Sequence, residues 1–326
     1  MLEPSAEVAA ALEGCAVLEP GADLLLLTGE DRVDLLQRIS ANDVKALTPG
    51  TWHWNCLTTA KGRLVDRVRI LASDDSLLLL GTAGRGGAIE AWLDQYTITE
   101  DVQVEDVSGD LQLLHLVGPR AIEIARRFLD VDPRSLPAGG LAEATAAGDA
   151  VTVLRTEGNL ADPGVLLVVP ANDVDAVRGV AADAGATPLS AEAWDAVRVT
   201  VGLPRVGVDV TEDHHPLEAG LWDGVSFDKG CYVGQEVLAR LRNYDKIQRR
   251  LVTLALGGEA EPGAELFADG KPVGTLTTVV SSPWLDAPRA LGYVKTRTIQ
   301  AEAALTVGEG GPGAKIDEVV RLGEGK

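Results

Sequence analysis

LQLLHLVGPRAIEIARRFL, Leu111–Leu129, decides the fold. Leu111 to Val117 is an apolar run of strand length, and Gly118-Pro119 is a turn that neither extends a strand nor fits a helix interior. The residues beyond it set Ile122, Ile124, Ala125 and Phe128 at helical spacing. The same order stands earlier in the chain: Leu24 to Leu27, a turn at Gly29, then DRVDLLQRI with Val33, Leu35, Leu36 and Ile39 on one helical face. The turn glycines, at positions 29 and 118, lie 89 residues apart.

The elements after each cassette also match. Val65–Leu71 and Leu77–Leu80 form a hairpin across Ser73-Asp74-Asp75, then a helix runs near Gly87–Tyr96; Val151–Thr156 and Val165–Val169 form another across Asn159–Gly164, then a helix near Asn172–Ala184. Strand, helix, hairpin, helix, strand in duplicate predicts an α+β fold with mixed or antiparallel sheets, not a doubly wound parallel one. Ala191 to Pro204 reads as a helix running out into a loop. Past Arg250 the text becomes short strands (RLVTLAL, TLTTVVSS, ALGYVK, KIDEVVRL) punctuated by Asp269-Gly270, Gly274 and Gly310 to Gly313, with no helical period. That pattern predicts a small all-β barrel. The expected organisation is an α+β region over residues 1–245, with related units near 20–105 and 110–190 and a further segment at 204–245, followed by the barrel at 246–326.

The 326 residues hold 29 Lys and Arg against 49 Asp and Glu, a net charge of −20. A protein that grips phosphate backbones or anionic bilayers needs the opposite sign, so neither nucleic acid nor a membrane surface is an expected partner. No apolar run nears the roughly 20 residues of a membrane helix. MLEPSAEVAAALEG lacks the basic start of a secretory leader, and Cys15, Cys56 and Cys231 are too few and too scattered for a disulfide framework. A reducing cytoplasm is the expected compartment.

Against that acidic background two strips are basic. Lys229 to Arg250 sets Lys229, Arg240, Arg242, Lys246, Arg249 and Arg250 against Glu236 and Asp245, net +4; Lys61 to Arg69 sets Lys61, Arg63, Arg67 and Arg69 against Asp66, net +3. Everything else sums to −27. The strips are either solvated faces or a pocket for a small anion. In the longer one, Gly230 and Gly234 bracket Cys231-Tyr232-Val233, a spacing that permits positive φ or close approach to a ligand. On an extended backbone Lys229 and Cys231 share a face, and the ammonium would favour the thiolate; alternatively Cys231 is a small buried hydrophobe. Gln235 and Glu236 offer an amide and a carboxylate to a heterocycle, and Arg240 sits at i,i+4 from Glu236.

Three further stretches read as structural. Gly81 to Gly87 lacks the spacing of a phosphate loop and is expected to be a connection. His214-His215 has no third ligand nearby, so no metal is expected there. Trp52 and Trp54 alternate as in a strand and are either core or cavity wall, or a stacking surface for a ring.

KGCYVGQE at Lys229–Glu236, followed by VLAR, resembles the motif of the folate-binding YgfZ family, relatives of the glycine cleavage system T-protein (aminomethyltransferase). The likeness extends to PRVGVDVTEDHHPLEAGL at Pro204–Leu221, where Glu218 matches a pterin-recognising Glu, to Asn42-Asp43 in LQRISANDVKAL, and to the lysine-glycine-arginine pattern at Lys61–Arg63. The resemblance implies two related α+β units and a C-terminal barrel around a central cavity. It implies tetrahydrofolate or a derivative as the bound cofactor, with Glu218 on the pterin, cations such as Lys61, Arg63 and Arg240 on the glutamate tail, and Gly230, Tyr232, Gly234, Gln235 and Glu236 as binding residues. It further implies support of iron–sulfur cluster assembly or repair in client proteins, with Cys231, Lys229 and Asp66 as the reactive residues. Three isolated cysteines cannot supply a four-cysteine site, so no cluster of its own is expected.

The T-protein pattern has two adjacent aspartates here and lacks the KGCY cysteine. This chain has only Asp66 of the pair, with Arg67 at the other position, and Arg63, Arg67 and Arg69 are expected to hold the Asp66 pKa down, making it a poor general acid. Both departures favour the YgfZ type over an aminomethyltransferase or other one-carbon transferase. A non-catalytic scaffold that docks partners through its acidic surface is the third reading.

Overall fold

Strand Asp23–Thr28 turns at Gly29 into helix Arg32–Ile39, and strand Leu111–Val117 turns at Gly118 into helix Ala121–Ala125. Both glycines need their lack of a side chain. Gly29 has φ +98° and Gly118 φ +111°; a Cβ would sit 2.1 Å from Asp101 O in the first and 2.6 Å from Gly14 O in the second. The computed structural model describes residues 4–156, 164–243, 246–282 and 285–323. Most of the expected Asn159–Gly164 turn therefore lies outside the described residues, as do residues 244 and 245 near the expected barrel boundary.

In chain order the elements begin with α1 (Pro4–Glu13), β1 (Ala16–Leu18), β2 (Asp23–Thr28), α2 (Arg32–Ile39), β3 (Thr51–Thr58), β4 (Leu64–Ala72), β5 (Leu77–Gly81), α3 (Gly86–Asp94) and β6 (Gln103–Asp106). The second unit comprises β7 (Leu111–Val117), α4 (Ala121–Ala125), β8 (Leu141–Ala146), β9 (Asp149–Thr156), β10 (Gly164–Pro170), α5 (Val174–Asp183) and β11 (Thr187–Pro188). Helices α6 (Ala191–Thr200) and α7 (Gln235–Asn243) come next, then β12 (Arg249–Leu256), β13 (Glu265–Ala268), β14 (Lys271–Val280), β15 (Arg289–Lys295), α8 (Thr296–Gln300), β16 (Leu305–Val307) and β17 (Gly313–Val319).

The duplication is visible in strand order. One sheet runs β3-β4-β5-β2-β6 and the other β8-β9-β10-β7-β1-β11, so hairpin, return strand and first strand occupy equivalent places. The second sheet differs in one respect: the N-terminal β1 is inserted between β7, which it meets antiparallel, and β11, which it meets parallel. Neither α1, within MLEPSAEVAAALEG, nor β1, just after it, is among the elements read from the sequence. The last six strands close into a barrel, β12-β15-β14-β13-β16-β17, as expected, with α8 as a single turn of helix inside it.

Strand alternation assigns the faces. Leu35, Leu36, Val68, Ile70 and Leu79 pack the first sheet against α2 and α3, while Leu114, Leu116, Val165 and Leu167 pack the second against α4 and α5. The opposite faces meet each other: Leu24, Leu71 and Leu80 touch Leu113, Leu154 and Leu166. Each such leucine contributes roughly 1.5–3 kcal/mol by leaving water. The result is helices, sheet, sheet, helices, with the barrel joined through Leu64, Leu217, Tyr232, Leu238, Leu251 and Tyr293.

Candidate functional site

The Lys229–Gly234 stretch is a turn, not an extended strand. Lys229 turns inward, nearly buried, and its Nζ donates to Ser40 O at 2.9 Å and Asn42 O at 2.6 Å, with the Tyr232 ring 5.1 Å away. Burial pulls its pKa down to about 8. Cys231 points outward and is exposed. The expectation that the two side chains share a face is thus wrong, because it required an extended backbone, and the alternative of a buried Cys231 is wrong as well. The lysine instead ties the motif to Asn42-Asp43, a pair far away in sequence. Asn42 Nδ2 in turn donates to Trp54 O and Asp223 O.

Of the two motif glycines one is conformationally required. Gly234 has φ +86°, and a Cβ would lie 2.6 Å from Thr59 O; Gly230 has open space around it and no positive φ. Thr58 Oγ1 donates to Val233 O, and Gly62 lies against Val237, so the motif docks on the Lys61–Arg63 loop. Tyr232 is buried in the core. Gln235, half-buried, opens α7, and Glu236 pairs with Arg240 one turn on, both exposed. Such a pair is worth a few tenths of a kcal/mol.

The three cysteines now differ sharply. Cys15 and Cys56 are buried, and burial pushes the Cys15 thiol up to about 12 and Cys56 higher still. A disulfide reagent should therefore titrate one thiol in the native protein and three after denaturation, and Cys231→Ser should abolish the native reaction. Two or more fast thiols in the native wild type would show this burial pattern to be wrong.

Glu218 is nearly buried and already engaged: Arg249 Nε lies 3.3 Å from Oε1, Arg63 Nη1 3.8 Å from Oε2, and His215 N donates to Oε2 at 3.0 Å. His214 stacks on Tyr293 at 4.2 Å and His215 Nδ1 meets Gly62 O, so the pair organises loops. Burial lowers the His214 pKa to about 4. Lys61 is exposed and with Arg63, Trp92, Gln95 and Tyr96 lines a cleft of about 430 Å³.

Asp66 departs from expectation. Its carboxylate lies on the helix-facing side of β4, fully buried, and accepts from Arg67 N at 2.8 Å, Thr82 N at 3.0 Å and Thr82 Oγ1 at 2.7 Å. Its pKa is raised, not lowered, because burial outweighs those hydrogen bonds and the charge of Arg85. The expected cations do not reach it: Arg67 and Arg69 project to the other face, and Arg63 bonds Asp213 O.

That other face was not foreseen as a site. Arg67 and Arg69 lie over the Trp54 ring at 3.7 and 4.0 Å, on the side where the two sheets meet. Asp223 Oδ2 accepts from Arg67 Nη2 at 2.5 Å. Arg69 and, across on β7, His115 keep some solvent contact although protein surrounds them, as for walls of an interior concavity. Burial, then the charge of Arg67, brings Arg69 down to about 9; burial, then Arg69, brings His115 down to about 3. At neutral pH Arg69 is a cation and His115 is neutral. Arginines at alternate positions, Arg67 and Arg69, beside Trp52 and Trp54 were the readable signal, since a strand covered on both faces is normally apolar throughout.

A family model described as the GCVT N-terminal domain matches residues 6–229, and one described as the glycine cleavage T-protein C-terminal barrel domain matches residues 249–317. The chain belongs to the glycine cleavage T-protein family. Among other members of the T-protein family, it is 30% identical over 285 residues to an aminomethyltransferase of Herpetosiphon aurantiacus, covering 86% of this chain and 78% of that one. It is also 30% identical over 285 residues to a chloroplastic protein of Arabidopsis thaliana described only provisionally as a transferase, covering 87% of this chain and 66% of that one. The T-protein fold itself is matched by the crystal structure of glycine cleavage system aminomethyltransferase T from Bartonella henselae, with TM-score 0.82 and 20% identity over 97% of this chain and 88% of that one. No described helix is long and apolar enough to cross a membrane.

Proposed function

We propose that this T-protein family member binds tetrahydrofolate or a close derivative between its sheets and supports assembly or repair of iron–sulfur clusters in client proteins, as the YgfZ type does, with Cys231 as its functional thiol. The observation that carries the ligand reading is the inner face of the first sheet. Trp52 Nε1, Arg67 Nε, Arg69 Nε and Asp223 Oδ1 are enclosed there with no hydrogen-bond partner among the described residues. Donors, an acceptor and aromatic surface in one enclosed place fit a polar heterocycle with an anionic tail. The Lys229–Glu236 motif is tied to this face through Asn42, whose carbonyl accepts from Lys229 and whose amide donates to Trp54 O and Asp223 O. An exposed Cys231 beside a firmly docked motif suits a thiol that acts on another protein.

The names of the curated relatives are consistent with a second reading, a folate-dependent aminomethyltransferase. Against it, Asp66 spends its oxygens on three buried hydrogen bonds away from the inner face. Calorimetry should show one tetrahydrofolate bound per chain. Cys231→Ser should bind it equally yet fail to restore iron–sulfur enzyme activity in a strain lacking the protein, and wild type should form no methylene-tetrahydrofolate from an aminomethylated lipoyl carrier. Full restoration by the serine variant removes the thiol role, turnover selects the second reading, and absence of folate binding removes both.

A further inference from the structure

The inner face holds more positive charge than it neutralises. Arg67 and Arg69 are both enclosed, His115 opposite them is neutral, and among the described residues Asp223 is the carboxylate paired here, with Arg67. Arg69 packs against the Trp52 and Trp54 rings at 5.8 and 4.0 Å, and its Nε has no hydrogen-bond partner among the described residues. Trp52 is 7% exposed, and its indole N–H is likewise unpartnered. Two enclosed cations sharing one carboxylate are costly, and three unused donors on one face, Arg67 Nε, Arg69 Nε and Trp52 Nε1, make the arrangement worse unless something accepts from them.

We infer that Arg69, with Arg67 and Trp52 beside it, forms an interior subsite for a carboxylate. Guanidinium groups bind carboxylates through two parallel N–H donors, a fit that a lysine ammonium cannot reproduce. The neutral His115 adds no competing cation, and Asp223, whose Oδ2 is held by Arg67, attracts Arg69 by its charge without a hydrogen bond to it, so the second guanidinium keeps its donors for the ligand. Resting on the folate reading for the ligand's identity, the inference assigns the glutamate end of that ligand to the Arg69 side and leaves the pterin to the remainder of the interior.

The test is calorimetric titration of the full chain with three probes: 5-formyltetrahydrofolate, p-aminobenzoylglutamate, and 6-methyltetrahydropterin, which lacks the tail. A hydrogen bond to a charged group contributes enough that Arg69→Gln should weaken the folate and p-aminobenzoylglutamate about 10- to 100-fold, leaving the pterin unchanged. Arg69→Lys should fall between, since it keeps the charge and loses the fork. Because the variant removes the surplus positive charge of this face, apo Arg69→Gln should melt no lower than wild type, whereas a merely structural arginine would lower the melting temperature. Unchanged folate affinity in Arg69→Gln, or equal loss for folate and pterin, overturns the subsite while leaving folate binding standing. Binding of p-aminobenzoylglutamate to wild type but not to Arg69→Gln, without any binding of the folate or the pterin, upholds the subsite and overturns the folate reading.

Discussion

Gly234→Val is expected to lower the free energy of unfolding by about 2–5 kcal/mol, while Gly230→Val, four residues earlier in the same motif, changes it by less than about 0.5 kcal/mol. The contrast comes from backbone geometry. At φ +86° a β-branched side chain is strongly disfavoured, and its Cβ would press on Thr59 O at 2.6 Å and on Gly62 Cα at 3.1 Å, both backbone atoms that cannot rotate away. Gly230 has neither constraint. The clash lies where the motif meets the Lys61–Arg63 loop, so Gly234→Val should also displace Arg63 from Glu218 and weaken any ligand bound nearby. Denaturant midpoints of the two variants measure the difference; coincident midpoints would mean that the motif does not dock on this loop.

Asp66→Ala should be comparably severe. It strands three buried donors, Arg67 N, Thr82 N and Thr82 Oγ1, at about 1–3 kcal/mol for each unsatisfied group, less whatever water enters. Asp66→Asn keeps one oxygen and should lose about half as much. The pH dependence separates this from a purely steric effect. Burial raises the carboxyl pKa above its unfolded value, so the folded state holds the proton more tightly. The corresponding stability is fully present below the unfolded pKa and is lost as pH rises through the raised one. Wild type should therefore exceed Asp66→Asn by most at acid pH, and the gap should narrow as pH rises; a gap that widens instead would show that Asp66 is held as a stabilised carboxylate.

Periodicity made most of the fold legible. The apolar run in LQLLHLV and helical spacing in DRVDLLQRI placed strands and helices within a few residues, and the spacing of Gly29 and Gly118 revealed the duplication from residue order alone. Facing was harder to read. Asp66 and Arg67 are neighbours in sequence yet lie on opposite sides of β4, so the expected electrostatic pull of Arg67 and Arg69 on Asp66 could not operate. The motif glycines concealed the direction of Lys229, because a turn, unlike a strand, sets no fixed relation between residues two apart. The pairing of Lys229 with Ser40 and Asn42, nearly two hundred residues away, has no local trace at all. Glu218 matched its motif, but that it is held by two arginines depended on loops brought together by the barrel.

The inserted strand β1 has a consequence for how the chain is made. Ala16 pairs with Val117 on one side and with Thr187 on the other. On the ribosome residues 23–106 can already be assembling the first sheet while residues 16–18 still lack both neighbours. At about 5–20 residues per second that wait lasts on the order of 10–30 s. The second unit can complete its sheet only by capturing a segment synthesised before the first, so the two halves cannot mature independently in order of synthesis. A duplicated architecture that looks like two separable modules is, during translation, a single closure event that waits for Pro188.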